Sequence, residues 1–281
     1  MASATLSRHQ LDGTLGPIDV DVRAGGRSSP RPAVLIVHGF KGFKDWGFFP
    51  PFAERLARAG VTAVSFNMSG SGVDAAGNAT WPERFARNTY GAELADLDMV
   101  VEALVAGGLG VAPPTSLGLV GHSRGGGIAI LHAARDPRIR ALVTWAAIGA
   151  TDRWDAGTKQ SWRERGHLDV TNARTGQVIP VTTDLLEEIE RGGPALDIRA
   201  AAGRLTMPWL VVHGVEDESV PVAEGQDLAA MGNPASTRWL PVDHAGHTFG
   251  AGHPWKPPVP VAERVFDASV RFLGEALFSR T

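Results

Sequence analysis

Residues 116–135 read SLGLVGHSRGGGIAILHAAR, and few folds accommodate that run. Its first part, 116–121, is a short apolar stretch suited to a strand buried on both faces. Its last part, 124–135, is helical in character and stops at Asp136-Pro137. Between them lies Gly121-His122-Ser123-Arg124-Gly125, a G-x-S-x-G pattern in the strand–turn–helix setting that a nucleophile elbow requires. Such a turn strains the backbone at Ser123 and brings the flanking chain very close. The positions two before and two after it must then lack side chains, as Gly121 and Gly125 do. The hydroxyl is held out at the top of the sheet, with the positive end of the following helix at the reacting oxygen.

The rest of the chain keeps the same rhythm. Apolar runs at 33–38, 61–66, 139–145, 208–213 and 237–242 read as strands. Helices are expected over 50–59, 89–106, 222–231 and 261–278, with Phe52, Leu56 and Ala59 on one stripe and Leu94, Leu97, Val101 and Leu104 on another. Alternating strands and helices predict an α/β fold whose mostly parallel sheet is covered on both faces. Residues 1–24 are expected to add one or two antiparallel strands. Residues 150–200 break the pattern, with Trp154, Trp162, an Asn-Ala-Arg-Thr-Gly turn at 172–176 suited to a hairpin, and a charged helix at 183–191. The expected organisation is a core of 1–149 and 201–281 with a cap inserted at 150–200, over the carboxyl edge of the sheet.

With 43% hydrophobic and 20% charged residues the chain can bury a sizeable core. Its net charge of −3, with 23 Arg and 4 Lys scattered along it, gives no basic patch for nucleic acid. The absence of cysteine excludes disulfides, thiolate zinc sites and a Cys nucleophile. No stretch approaches the ~20 apolar residues of a membrane helix, and MASATLSRHQLDG shows no basic segment followed by an apolar run. The expectation is a cytoplasmic protein, with no membrane partner, as a monomer or a homodimer.

A serine hydroxyl needs a base, itself oriented by an acid. In the order Ser, acid, His, the acid belongs to Glu216, Asp217 or Glu218, in the loop past the carboxyl end of the 208–213 strand. The base belongs to His244 or His247, after the last strand. His244, His247 and His253 lie close together, but the H-x2-H-x5-H spacing matches no helical zinc pair, so no metal is expected. Gly70-Ser71-Gly72 lacks the third glycine of a dinucleotide loop and is expected to line the pocket; no cofactor is implied. Phe43, Trp46, Trp154 and Trp162 are candidates for walls of an acyl or aryl pocket.

Together these motifs resemble the α/β-hydrolase superfamily from about residue 31 onward. The run HGxxDxxVP at 213–221 resembles its acid loop, which implies Asp217 as the acid; Gly246-His247-Thr248-Phe249 resembles its histidine loop, which implies His247 as the base. His38-Gly39 resembles its oxyanion loop, which implies the backbone N–H groups of Phe40 and Arg124 as oxyanion donors, with His38 bracing the loop. HGFKGFKDW at 38–46, the GHTF ending and the inserted segment resemble the branch of dienelactone-hydrolase-like proteins and cinnamoyl or feruloyl esterases. Dienelactone hydrolases use a Cys nucleophile, and here Ser123 stands instead. The resemblance implies a serine hydrolase acting on small-molecule esters of small or aromatic acids through an acyl-enzyme. A serine peptidase, a thioesterase and a non-catalytic ligand-binding homologue are the alternatives.

Overall fold

The structure, a computed structural model, describes residues 4–26, 28–74, 77–171 and 176–278. Its centre is strand β3 (Ala33–Val37), whose five residues are all buried. Their side chains divide by alternation: Ala33, Leu35 and Val37 enter one core cluster, Val34 and Ile36 the other. A strand covered on both faces needs no polar side, which is why the sequence reads as an unbroken apolar run.

Around β3 lie seven more strands: β1 (Thr5–Asp12), β2 (Pro17–Ala24), β4 (Thr62–Phe66), β5 (Leu117–His122), β6 (Ile139–Trp145), β9 (Trp209–Gly214) and β10 (Thr237–Val242). The sheet order is β1-β2-β4-β3-β5-β6-β9-β10. From β4 to β10 the pairings are parallel, whereas β1–β2 and β2–β4 are antiparallel. Helices α1 (Phe49–Arg58) and α9 (Pro260–Phe278) cover one face through Phe49, Phe52, Val265 and Phe266. Helices α3 (Tyr90–Val105) and α4 (Arg124–Ala133) cover the other through Leu94, Leu97, Ile128 and Ile130. The short helix α2 (Pro82–Ala86), which no periodicity in the sequence announces, precedes α3. Helix α8 (Val222–Met231) links β9 to β10.

Between β6 and β9 the chain forms α5 (Ala156–Arg165), a hairpin of β7 (His167–Thr171) and β8 (Val178–Thr182), α6 (Thr183–Arg191) and α7 (Ile198–Ala202). The turn expected at 172–176 falls, for residues 172–175, outside the described residues. Glu188 of α6 accepts hydrogen bonds from the N–H groups of Tyr90 (2.7 Å) and Gly91 (2.9 Å). A carboxylate thus satisfies the free donors at the start of α3, where the helix dipole also favours it. At the two ends of this stretch, Ile148 and Ile198 both approach Gly127 of α4; a Cβ there would lie 2.9 and 2.8 Å from them.

Among the described residues no helix is long and apolar enough to cross a membrane.

Candidate active site

The elbow between β5 and α4 holds Ser123 at φ 58°, ψ −124°, a backbone region costly for a residue with a Cβ, of order 1–3 kcal/mol. The surroundings hold it there. Ser123 N–H donates to Trp145 O (2.9 Å), extending the edge of β6, and Ser123 O accepts from Gly126 (2.9 Å) and Ile148 (3.2 Å). A Cβ at Gly121 would collide with the Gly125 carbonyl, and one at Gly125 with the carbonyl oxygens of Val37 and His38. Gly125→Ala is therefore expected to destabilise the fold by more than about 4 kcal/mol, in the range reserved for severe core clashes. A denaturant melt within 1 kcal/mol of wild type would show that the turn is looser than described.

Asp217 and His247 are brought together from loops after β9 and β10. His247 Nδ1 donates to Asp217 Oδ2 at 2.8 Å. Asp217 Oδ1 accepts from the N–H groups of Ser219 (2.8 Å) and Val220 (2.9 Å), which fixes the carboxylate plane. Burial alone would raise the Asp217 pKa, but hydrogen bonds from His213, His247 and the Val220 N–H hold it well below the usual carboxylate range. The carboxylate thus stays ionised and aligned on the imidazole. Glu216 points elsewhere, pairing with His244 at 3.2 Å. The side chain of His244 is 92% exposed, so His244→Ala is expected to change turnover by no more than about twofold, as a surface substitution does. A loss comparable with that of His247→Ala in the same kinetic assay would move the base to His244.

Ser123 and His247 line one cavity of about 990 Å³. Among the described residues, no hydrogen bond yet joins the Ser123 hydroxyl to the His247 ring, a contact that often tightens only when substrate is bound. The N–H groups of Phe40 and Arg124 make no backbone hydrogen bond among the described residues, as donors reserved for a developing oxyanion would. His38 holds the loop that carries Phe40. Its Nε2 accepts from the Met68 N–H (3.1 Å), so Nδ1 carries the proton and donates to Gly39 O (2.9 Å). Burial lowers the His38 pKa to about 4, and it serves as a neutral brace.

Trp46 and Trp154 line the cavity; Phe43 and Trp162 do not. Phe43 is 2% exposed, its ring edge-on to His253 at 5.1 Å. Trp162 is 1% exposed, lies behind Trp154 at 5.3 Å, and donates through Nε1 to Val181 O (3.0 Å). Both expectations are corrected: these rings pack beneath the walls, where an apolar aromatic buries more area. Gly70 is likewise no pocket residue. Its loop is tied down by Asp96, which accepts from Ser69 N–H (2.7 Å) and Ser69 Oγ (2.6 Å).

Several side chains in and behind the cavity were not singled out as such by the sequence. His122 donates from Nε2 to the carbonyl of His247 (2.9 Å), with the two rings 4.6 Å apart. Burial, then the neighbouring His247, lowers its pKa to about 3, so it supports the base loop as a neutral ring. His213 Nε2 lies 3.4 Å from Asp217 Oδ2. Tyr90, the sole tyrosine of the chain, opens α3 and faces the cavity; its rarity was the one available hint. Arg124 has a buried side chain, bonded through Nε to Glu93 (2.9 Å), with its guanidinium 3.9 Å from the Tyr90 ring centroid. Although burial opposes its charge, Glu93 raises the Arg124 pKa and keeps it cationic. Arg153 pairs with Glu224 at 2.7 Å.

Among the described residues, no group of His, Asp and Glu is arranged to hold a metal ion. A larger hollow, about 1450 Å³, opens at the opposite edge of the sheet near Pro32, Ser116 and Pro208, and its lining includes no histidine to act as a base.

The family model described as serine aminopeptidase, S33, matches residues 28–165. Among characterised proteins, 2,6-dihydropseudooxynicotine hydrolase of Paenarthrobacter nicotinovorans is 27% identical over 96% of this chain, which spans 66% of that relative's length. Among solved structures, Est1E from Butyrivibrio proteoclasticus with bound ferulic acid superposes with a TM-score of 0.70 at 19% identity, over 96% of this chain and all of that one. A puromycin-hydrolysing peptidase of Mycobacterium tuberculosis superposes with a TM-score of 0.68 at 20% identity, over 99% of this chain and 40% of that one. These likenesses show the fold, which is that of the α/β-hydrolases.

Proposed function

From an α/β-hydrolase fold that gathers Ser123, His247 and Asp217 at one cavity, we propose a serine hydrolase that cleaves carboxylic esters of small or aromatic acids through an acyl-enzyme. The observation that carries this reading is the strained Ser123 elbow sharing its cavity with an imidazole already bonded to a buried, ionised Asp217 at 2.8 Å. As Ser123 Oγ attacks the ester carbonyl, His247 takes its proton through Nε2, the nitrogen left free by the Asp217 bond. Asp217 holds that tautomer and stabilises the imidazolium. The N–H groups of Phe40 and Arg124 receive the oxyanion, and α4, which starts at Arg124, adds the positive end of its dipole. His247 protonates the departing alcohol, and water repeats the cycle on the acyl-enzyme. Aromatic acids suit the cavity because Trp46, Trp154, Phe40, Phe49 and Tyr90 line it.

Labelling with a neutral fluorophosphonate, followed by a panel of aryl and short-chain esters, tests the reading. Ser123 is expected to be the modified residue, and aryl esters the better substrates. A folded protein that takes up no label, with no ester turned over, would bring the non-catalytic ligand-binding reading forward.

The match to the serine aminopeptidase model supports a second reading, amide hydrolysis next to a free amine. Such a substrate presents an ammonium group and calls for a carboxylate in the wall. The described lining of the cavity has Lys41, Arg124 and Arg153 and no Asp or Glu, so esters are favoured. Aminoacyl anilides beside aryl esters of equal leaving-group acidity decide between the two.

A further inference from the structure

The residue after the nucleophile belongs to a buried ion pair that the reaction itself does not call for. Arg124 is 4% exposed and its partner Glu93 5%. Arg124 Nε donates to Glu93 Oε2 at 2.9 Å, and Glu93 Oε1 accepts from Asn88 Nδ2 at 2.6 Å. The guanidinium carbon lies 3.9 Å from the ring centroid of Tyr90 and 5.3 Å from that of Phe40. Such a pair is a poor device for stability, because apolar side chains of the same volume fill the space without taking two charges out of water. What it supplies is direction. A hydrogen-bonded guanidinium has a fixed plane, against which a ring can be set.

The ring at 5.3 Å belongs to the other oxyanion donor. Phe40 sits in a turn closed by the Gly42 N–H on Gly39 O (2.9 Å), and the next residue, Lys41, has φ 61°. A residue with a Cβ is strained there, so the turn keeps its shape only while its surroundings hold it. On the backbone side, His38 Nδ1 holds Gly39 O at 2.9 Å. On the side-chain side, Phe40 is set against Phe85 of α2, with ring centroids 5.0 Å apart, and against Arg124. Phe85 is itself buried. Glu93 stands on α3, whose first N–H groups are bonded to Glu188. The side chain of one donor residue thus holds the ring of the other, and both are referred to α3. An oxyanion hole works only when its donors lie about 2.7–3.1 Å from one oxygen, and a misplacement of about 1 Å costs on the order of a hundredfold.

We propose that Arg124 and Glu93 are positioning residues: the guanidinium, oriented by Glu93, clamps the Phe40 ring and so sets the separation of the Phe40 and Arg124 N–H groups that receive the oxyanion. The proposal rests on the hydrolase reading. It gives a role in turnover to two buried side chains set behind the triad.

The test pairs phenyl acetate as substrate with 2,2,2-trifluoroacetophenone, a ketone to which Ser123 adds, leaving a tetrahedral oxyanion in the hole. Glu93→Gln/Arg124→Met replaces the ion pair by a neutral one of similar volume. It is expected to lower kcat by about 10- to 100-fold, part of the loss of a whole donor. KM is expected to stay within about threefold, because the interaction lost is made only in the transition state. Inhibition by the ketone is expected to weaken by the same factor as kcat/KM, as a transition-state analogue does. Phe40→Leu leaves the ion pair in place and is expected to show the same parallel loss; it carries the test if the double variant fails to fold. Combining the three substitutions is expected to cost little more than either set alone, since both break one clamp. Unchanged kcat and ketone inhibition in folded variants overturn the proposal. So does a fall in kcat that leaves ketone inhibition untouched, or full additivity of the two losses. Fluorophosphonate labelling of the wild type separates the two readings. Labelled protein whose ketone inhibition ignores these substitutions refutes the clamp alone; neither label nor turnover refutes the hydrolase reading, and the clamp with it.

Discussion

Ser123→Ala is expected to leave a folded protein whose ester turnover is lower by about four to six orders of magnitude, the scale of losing a triad nucleophile. The fold survives because Ser123 Oγ makes no hydrogen bond among the described residues, so its removal strands no partner. The strained backbone at φ 58° is inherited unchanged by alanine. What remains, roughly 10³–10⁴-fold over water in comparable hydrolases, comes from the oxyanion donors and from binding. The measurement is kcat/KM on an aryl ester beside a thermal melt of the same preparation. Turnover within tenfold of wild type, from protein with an unchanged melt, would sink the assignment of Ser123.

Asp217→Asn is expected to lower kcat by about 10⁴-fold while barely moving KM. Its Oδ1 can still accept from Ser219 and Val220, so the loop after β9 keeps its shape. Its amide nitrogen, however, replaces the oxygen facing His247 Nδ1 and, being a donor, turns the imidazole to the wrong tautomer. If Glu216→Gln or Glu218→Gln cost more than Asp217→Asn, the acid has been misassigned. The same substitution has a signature in stability. The folded pKa of Asp217 lies below the unfolded carboxylate value of about 3.9. Its ionised form therefore stabilises the fold above that value, and the contribution fades as pH falls from about 4 through the folded pKa. Denaturant melts between neutral pH and pH 3 should show a shallower acid decline in Asp217→Asn than in wild type. An identical decline would mean that the carboxylate is not held as described.

Much of the scaffold could be read from the residues because burial on two faces leaves an unmistakable pattern. The runs expected at 33–38, 61–66 and 116–121 are strands at Ala33–Val37, Thr62–Phe66 and Leu117–His122. The elbow was visible for a related reason: backbones in contact demand glycine, and Gly121 and Gly125 stand where the Val37, His38 and Gly125 carbonyls approach. The cluster behind the cavity was not visible. Glu93, Tyr90 and Arg124 meet only when α3 packs beside α4, and nothing local in either helix marks that meeting. Aromatic residues misled for the opposite reason. Hydrophobicity alone does not distinguish a ring facing a cavity, as in Trp154, from one packed behind it, as in Trp162.

Ile148 and Ile198 both approach Gly127, so the segment between them starts and ends close together. It leaves and rejoins the scaffold at one spot on the helix that follows Ser123, so its content can vary while the span to be closed stays fixed. Lengthening such a loop adds only slowly to the cost of closing it. Exchange of this segment for another, with an acceptor retained for the Tyr90 and Gly91 N–H groups now served by Glu188, would therefore re-select which molecules reach the nucleophile without rebuilding the machinery beneath.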